Sequence, residues 1–307
     1  MLKILTTGRL GPQFCAALEA SEIRVQARYV EHAQQNDIDW ADCLASFPVS
    51  STLTLKGLKW IHSFGAGIDG FVTRKDLGPH LRLSRTTGDL GQKMGEFCLC
   101  HVLNFLQNYH AVAKDNTTSR WQQRPGQSIR DQTILILGTG KMAQGVAQTL
   151  SSLGAVVIGV NNSGHADAPY FQRCVTMAAV PALAANVSCI INTLPLHENT
   201  QRLIDLPWLC HFNEALLINV GRGATLVTDD LQPAFAKRYL AYAVLDVFDI
   251  EPLPQDSWLW QHPQVFVSPH QAAITDVHDV MKSFTQALQA YELNLQSDVF
   301  ADLSRGY

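Results

Sequence analysis

Nowhere in the 307-residue chain does an apolar run reach the ~20 residues that a membrane-spanning helix needs. The opening stretch MLKILTTGRLG holds a run too short for a signal-sequence core. A soluble, cytoplasmic protein without a membrane partner is the expectation. Charge is scarce as well: 16% of residues are charged, the formal net charge is -4, and no block of one sign occurs. That leaves no basic stripe for nucleic acid and no acidic tail, so small-molecule chemistry is expected. The seven cysteines form no CxxC pair, and an odd number leaves one thiol over in any disulfide scheme. A reducing compartment fits this pattern, and no metal site is expected. Cys98 and Cys100 lie two apart in a helical-looking stretch, point to different faces, and read as small core hydrophobes. Low-complexity tracts and repeats of about 20–50 residues are absent, which excludes solenoids.

What is present is apolar and ordered. With 47% hydrophobic residues, the chain is long enough for two modest cores. The first third alternates short apolar runs with amphipathic segments: "LKILTTG", "FCAALEA", "IRVQARYV", "LKWIHSFG", "LRLSRT". That rhythm of strand, helix and strand predicts a parallel sheet with crossovers. A second series runs through "TILILG", "AVVIGVNN", "SCIINTLP", "ALLINV", "AYAVLDVF" and "VFVSP". These runs are nearly continuous in apolar and β-branched residues, as strands buried on both faces are.

Between the two series, Gly95 to Asp115 reads as one helix whose apolar residues cover most of its circumference. Two readings fit: a connector that also packs on a second subunit, or a helix buried within one large monomer. Near the end, "TDVHDVMKSFTQALQAYELNL" predicts an amphipathic helix with Val277, Val280, Met281, Phe284, Leu288 and Tyr291 on one side. It follows the second series but has the face to pack on the first.

The stretch "ILILGTGKMAQGVAQTL" sets Gly138, Thr139, Gly140, Lys141, Met142 and Ala143 between an apolar strand and a helix. In that setting G-x-G-x-x-A has a mechanism. Gly138 makes a tight turn, Gly140 lets a pyrophosphate approach, and Ala143 lets the helix pack closely. The helix start then offers free N–H groups and a positive dipole end to the phosphates. At the end of the next strand, where an acid often binds a ribose hydroxyl, stand Asn161, Asn162 and Ser163. Neutral donors there lean toward NADP(H), with NAD(H) as the alternative and a plain polar loop as the bland one.

Ligands in open parallel sheets bind beyond the carboxyl ends of the strands. Arg222 follows "LLINV", Glu251 follows "AVLDVFDI", and His270 follows "VFVSP". An arginine there can fork two hydrogen bonds onto a carboxylate or carbonyl oxygen. A histidine beside a carboxylate can donate a proton. Together the three suit a 2-keto acid whose carbonyl takes a hydride from a nicotinamide. Each alone is as well explained by a surface residue or an ion pair; their occurrence on consecutive strands of one nucleotide-binding unit carries the reading.

"INVGRG", "LDVFDIEPLP" and "SPHQAA", downstream of "GTGKMA" and with "SFGAGID" upstream, resemble the D-isomer-specific 2-hydroxyacid dehydrogenases. "EPLPQDSWLWQHP", "PHQAAIT", the Leu90, Lys93, Met94 set and the terminal "RGY" look like the bacterial glyoxylate/hydroxypyruvate reductase A branch. The resemblance implies two Rossmann-like, flavodoxin-like doubly wound parallel-sheet domains with the cleft between them as active site. A discontinuous substrate domain of 1–97 plus 277–307 and a dinucleotide-binding domain of 98–276 follow from it. It makes His270 the general acid/base with Glu251 as partner, and Arg222 the clamp on the substrate carboxylate and keto oxygen. It gives Ala66 and Gly67 backbone N–H groups to the other side of that carboxylate.

For the cofactor it implies Gly138, Thr139, Gly140, Lys141 and Met142 at the pyrophosphate. Asn161, Asn162 and Ser163 belong to its ribose end, and Thr193, Leu194 and Pro195 to the adenosine side. Val220 and Gly221 complete the set, with Asp246 on the nicotinamide amide. Phe47, Leu90 and the loop of Trp258 to Trp260 are the expected setting for side-chain specificity. The implied activity is NADPH-favouring reduction of small 2-keto acids such as glyoxylate and hydroxypyruvate by a homodimer. The loop after Val160 departs from that branch in lacking an arginine. The other function class to weigh is a dinucleotide-sensing regulator on the same fold with vestigial catalysis.

Overall fold

The computed structural model describes residues 1–78, 80–165, 168–295 and 299–301. The chain forms two units, Met1–Leu90 with Thr275–Tyr307, and Gly91–Ile274. The terminal Arg305, Gly306 and Tyr307, and the other residues beyond 301, lie outside the described residues.

In the first unit five strands, β1 (Leu2–Thr7), β2 (Val25–Val30), β3 (Cys43–Ser46), β4 (Trp60–Ser63) and β5 (Arg82–Arg85), pair in the order β2-β1-β3-β4-β5. Every pairing is parallel. Neighbouring residues of a strand enter opposite cores. Ile4, Cys43, Ala45 and Trp60 pack with Phe14 of α1 (Gly11–Glu19) on one side. Leu5, Leu44 and Ile61 pack with Ile38 of α2 (Gln35–Trp40) and Phe71 of α3 (Asp69–Val72) on the other. β3 and β4 are buried along their whole length, whereas β2 at the sheet edge is half exposed.

The second unit holds β6 (Thr133–Leu137), β7 (Val156–Val160), β8 (Arg173–Val175), β9 (Val187–Asn192), β10 (Ala215–Asn219), β11 (Leu240–Leu245) and β12 (Val265–Val267). They form one seven-stranded parallel sheet in the order β12-β11-β10-β9-β6-β7-β8. Parallel sheets are what the apolar runs anticipate, and two doubly wound parallel-sheet units are the fold that the family resemblance implies.

The helix expected over Gly95–Asp115 is two helices, α4 (Leu90–Leu106) and α5 (Tyr109–Thr117). Asn108 takes the left-handed conformation, φ 54°, and breaks the helix between them. Side chains at the break hold a returning segment: Gln107 donates to the Gln127 carbonyl at 2.8 Å and Asn108 to that of Pro125 at 2.7 Å. The division between units falls at Leu90/Gly91, earlier than 97/98. The physical reason lies in α4. Gly91 and Gly95 sit directly on Gly145 and Thr149 of α6 (Lys141–Ser152), so closely that a Cβ on Gly145 would collide with the Gly91 backbone. The first turns of α4 therefore belong with the second sheet. Cys98 is buried there, whereas Cys100 is exposed and is no core residue of this chain.

The last helix, α7 to α9 being Leu206–Leu209, Leu231–Ala236 and Val277–Glu292, packs in the first unit. Val280, Phe284 and Leu288 of α9 enter the same core as Phe14 and Trp60, as its apolar face predicts. Asp276 and Asp279 close its first turn as a capping box, and Asp279 also accepts the Asp89 N–H at 3.0 Å. Among the described residues no helix is long and apolar enough to cross a membrane.

Candidate active site

The glycine turn lies where the second sheet reverses its order, between β6 and β9. Gly138 has φ +98°, which a side chain resists, and its N–H donates to the Val160 carbonyl at 2.8 Å. A Cβ on Gly138 would also stand 2.7 Å from Thr193 Oγ1, the first residue beyond β9. Gly140, by contrast, is exposed at the start of α6, and nothing lies within 4 Å of where its Cβ would stand. That open space above a helix N-terminus is the shape a pyrophosphate requires, so these residues fit a dinucleotide. Lys141 is exposed, Met142 half-buried, and Ala143 buried against the sheet core. Leu194 and Pro195 are half-buried in the loop after β9.

At the end of β7, Asn161 is spent on its own loop. Its amide donates to Thr139 Oγ1 at 2.9 Å and to the His165 carbonyl at 2.8 Å, and its carbonyl accepts the Gly164 N–H at 2.7 Å. Ser163 donates to the His165 carbonyl at 2.9 Å. Asn162 is exposed at the tip. Asn161 thus shapes the loop, and Asn162 is among the residues it exposes, with Ser163 and His165.

Arg222 follows β10 and is fixed from both sides. A Cβ on Gly221 would stand 2.7 Å from the Leu194 carbonyl oxygen, and one on Gly223 would run into the backbone of Phe248 and Asp249. Neither glycine has positive φ, so both are present for close backbone approach rather than for a turn. The Arg222 carbonyl accepts Thr225 Oγ1 at 2.6 Å and Asn219 Nδ2 at 3.3 Å, and its Nη1 donates to the Gly221 carbonyl at 2.7 Å. Buried Asn192 donates to both Asn219 and Thr225, at 2.8 and 2.7 Å. Val220 is buried, its N–H given to the Asn192 carbonyl at 3.0 Å.

His270 takes the left-handed conformation, φ 51°, just beyond β12. Buried Asp246 imposes that turn: its carboxylate accepts Ser268 Oγ at 2.7 Å and the N–H groups of Gln271 and Ala272 at 2.8 and 2.9 Å. The His270 N–H bonds the Asp246 carbonyl at 2.9 Å. The imidazole Nδ1 then meets Glu251 Oε2 at 2.7 Å, while Glu251 Oε1 accepts the Phe248 N–H at 2.9 Å. With Nδ1–H given to the carboxylate, Nε2 is the atom available to a substrate. The carboxylate also stabilises an imidazolium once formed. Gly223 against Phe248 joins Arg222 to this pair, so the three residues singled out in the sequence share one framework.

Ala66 and Gly67 lie in the first unit, in the loop after β4. Ser63 ties that loop: its Oγ donates to the Gly65 carbonyl at 3.0 Å and accepts the Gly65 N–H at 3.2 Å. Thr86 supports it from β5's end, donating to the Ser63 carbonyl at 2.9 Å. Just behind, fully buried His62 bonds Ser84 Oγ at 2.8 Å, and burial pushes its pKa down to about 3. The supporting Asn192, Asn219, Thr225, Ser268 and the Phe248 amide go beyond the residues that the sequence pattern singles out. A signal exists for the asparagines, since "CIIN" and "LLIN" each end an apolar run in a residue that must be hydrogen-bonded when buried.

Known proteins share this fold. The family described as D-isomer specific 2-hydroxyacid dehydrogenase, NAD binding domain, matches residues 99–272. Among solved structures, a D-isomer specific 2-hydroxyacid dehydrogenase from Xanthobacter autotrophicus Py2, in complex with NADPH and MES, is 25% identical with TM-score 0.90. The match covers 100% of both chains. A family protein from Aeromonas salmonicida is 28% identical with TM-score 0.88, over 98% of this chain and 99% of that one. An NADPH-dependent glyoxylate/hydroxypyruvate reductase from Sinorhizobium meliloti, in complex with NADP and sulfate, shares the fold at TM-score 0.89 and 24% identity over 100% of both chains.

Proposed function

The chain belongs to the D-isomer specific 2-hydroxyacid dehydrogenase family, and we propose that it reduces small 2-keto acids, glyoxylate and hydroxypyruvate among them, with NADPH preferred over NADH. The observation that carries the reading is the Glu251–His270 contact of 2.7 Å, set on the same framework as Arg222. When bound, the nicotinamide supplies the hydride. Arg222 holds the substrate carboxylate and draws charge onto the keto oxygen. His270 Nε2 gives that oxygen a proton as the carbonyl carbon is reduced, and Glu251 offsets the charge while the imidazole is protonated. Ala66 and Gly67 are proposed as further donors to the carboxylate, and Asp246 as the acceptor of the nicotinamide amide. The products are a 2-hydroxy acid and the oxidised cofactor.

The NADPH preference is supported by the absence of an acid at Asn161, Asn162 and Ser163, and by the NADPH bound to the Xanthobacter relative. The substrate preference is supported by the reductase-like sequence motifs. We further propose a homodimer, supported by exposed apolar residues on α5 and the segment after it: Tyr109, Val112 and Trp121, the last fully exposed. A cytoplasmic location is proposed from the buried thiols of Cys43, Cys98 and Cys189.

Initial rates of NADPH and NADH oxidation on glyoxylate, hydroxypyruvate, pyruvate and phenylpyruvate test the reaction. Turnover with faster use of NADPH is expected. Tight NADPH binding without turnover of any keto acid would replace the reductase with a dinucleotide sensor. Light scattering of the eluted protein at twice the 33.9 kDa chain mass is expected for the dimer.

A further inference from the structure

The first unit presents a cation that the proposed reaction does not use. After β1 come Gly8, at φ +77°, and the exposed Arg9. The order β2-β1-β3-β4-β5 reverses between β1 and β3. At such a reversal, the carboxyl ends of the strands open a crevice in which parallel sheets bind ligands. Arg9 stands at the end of β1, and Phe47 at the end of β3. The guanidinium lies over the Phe47 ring, 5.1 Å from its centroid, within cation–π range.

Phe47 connects this cation to the loop of Ala66 and Gly67. Its ring carbons lie 3.7 and 3.8 Å from where a Cβ of Gly65 would stand, and the ring meets Phe64 edge-on at 5.8 Å. One face of contact of the Phe47 ring thus belongs to Arg9 and another to the β4 loop at Gly65. Among the described residues the hydrogen bond from the Arg9 side chain is a long one, 3.5 Å to the Thr275 carbonyl. Among the described residues no carboxylate pairs with it. Phe47 therefore lies between an arginine that no carboxylate among the described residues pairs with and the loop whose Ala66 and Gly67 amides are proposed to bind one end of the substrate.

We propose that Arg9 binds a second carboxylate, which makes dicarboxylic 2-keto acids a substrate class of this protein. The inference rests on the reading of the chain as a 2-keto acid reductase and of Ala66 and Gly67 as donors to the first carboxylate. Phe47 keeps the guanidinium in place without neutralising it. A keto acid with an apolar or absent far end leaves this contact unmade.

The test compares kcat/KM for pyruvate, oxaloacetate, 2-oxoglutarate and glyoxylate in the wild type, Arg9→Met and Arg9→Lys. The wild type is expected to use at least one of the two dicarboxylic acids better than pyruvate. Arg9→Met should lower that ratio by about tenfold or more, as loss of a charge-assisted hydrogen bond does. It should leave pyruvate within about twofold, and Arg9→Lys should restore part of the ratio. A ratio unmoved in Arg9→Met, or an equal fall on every substrate, overturns the second-carboxylate site and leaves keto-acid reduction standing. No turnover of any of the four by the wild type overturns the reductase reading and this inference with it.

Discussion

Glu251 divides its two oxygens between one backbone amide and one imidazole: Oε1 accepts the Phe248 N–H at 2.9 Å and Oε2 meets His270 Nδ1 at 2.7 Å. Glu251→Gln has one oxygen: given to the Phe248 N–H, it leaves an NH2 donor facing His270 Nδ1 in place of a carboxylate oxygen. The expected result is a fall in kcat of roughly 10²–10⁴-fold, with cofactor affinity retained. Steady-state kinetics and a fluorescence titration with NADPH measure the two separately. A kcat within about twofold of wild type would exclude Glu251 as the partner of the acid.

Arg222→Gln removes the guanidinium that the proposed mechanism sets on the substrate carboxylate and keto oxygen. A loss of roughly 10²–10³-fold in kcat/KM is expected, about 3–4 kcal/mol of transition-state stabilisation. Arg222→Lys should recover little, because a point charge does not reproduce the fork. Near-wild-type turnover in Arg222→Gln would show that the guanidinium acts elsewhere.

Two glycines separate a structural from a ligand-binding role. Gly140→Ala adds a methyl where nothing lies within 4 Å, so the melting temperature should hold while the KM for NADPH rises at least about tenfold. Gly223→Ala forces a methyl into the Phe248–Asp249 backbone and should destabilise the fold by about 1–3 kcal/mol. Calorimetry and cofactor titration on both variants decide. Matching effects would mean the open surface at Gly140 is not the phosphate seat.

Cofactor choice is assigned to the tip of the β7 loop. Asn162→Asp should lower kcat/KM for NADPH relative to NADH by about tenfold through repulsion of the 2′-phosphate. Asn161→Ala, which removes the bonds to Thr139 and His165, should weaken both cofactors alike. An unchanged NADPH:NADH ratio in Asn162→Asp would remove the tip from cofactor discrimination.

His62 gives the fold a pH dependence of defined sign. Its pKa is held at about 3 by burial, against ~6.5 for a solvated imidazole. Between those values the unfolded chain takes up a proton that the folded chain refuses. Stability is therefore full above ~6.5 and falls with decreasing pH. His62→Gln should abolish a share of about 2 kcal/mol between roughly pH 6.5 and pH 5. His101 and His110, also lowered by burial, account for slope that remains. Urea midpoints at the two pH values test this; parallel losses in wild type and variant would contradict it.

Much of this was legible in the sequence because burial on both faces leaves no alternation to confuse. The runs "TILIL", "VVIGV" and "ALLIN" became β6, β7 and β10, and polar residues stand where those runs stop. Short strands were harder, since "CLAS" and "RCV" carry too few residues to stand out from loops. The break at Asn108 was hidden because Gln and Asn fit a helix as readily as a left-handed turn until a carbonyl such as that of Pro125 selects one. Gly221 and Gly223 announced a special backbone, but the reason came from Leu194 and Phe248, far away along the chain. Asp246 likewise stood out as an acid at a strand end, but that its carboxylate also holds the Ser268–Ala272 turn is seen only in the fold.

The contact of Gly223 with Phe248 and Asp249 also sets a rule for anyone redesigning this protein. The arginine strand end and the glutamate segment touch backbone to backbone, with no side chain between them to absorb an error. Grafting either segment alone from a relative would misplace both. Residues 219–225 and 246–272 should be transplanted as one cassette, and new substrate ranges sought at Arg9 and Phe47 instead.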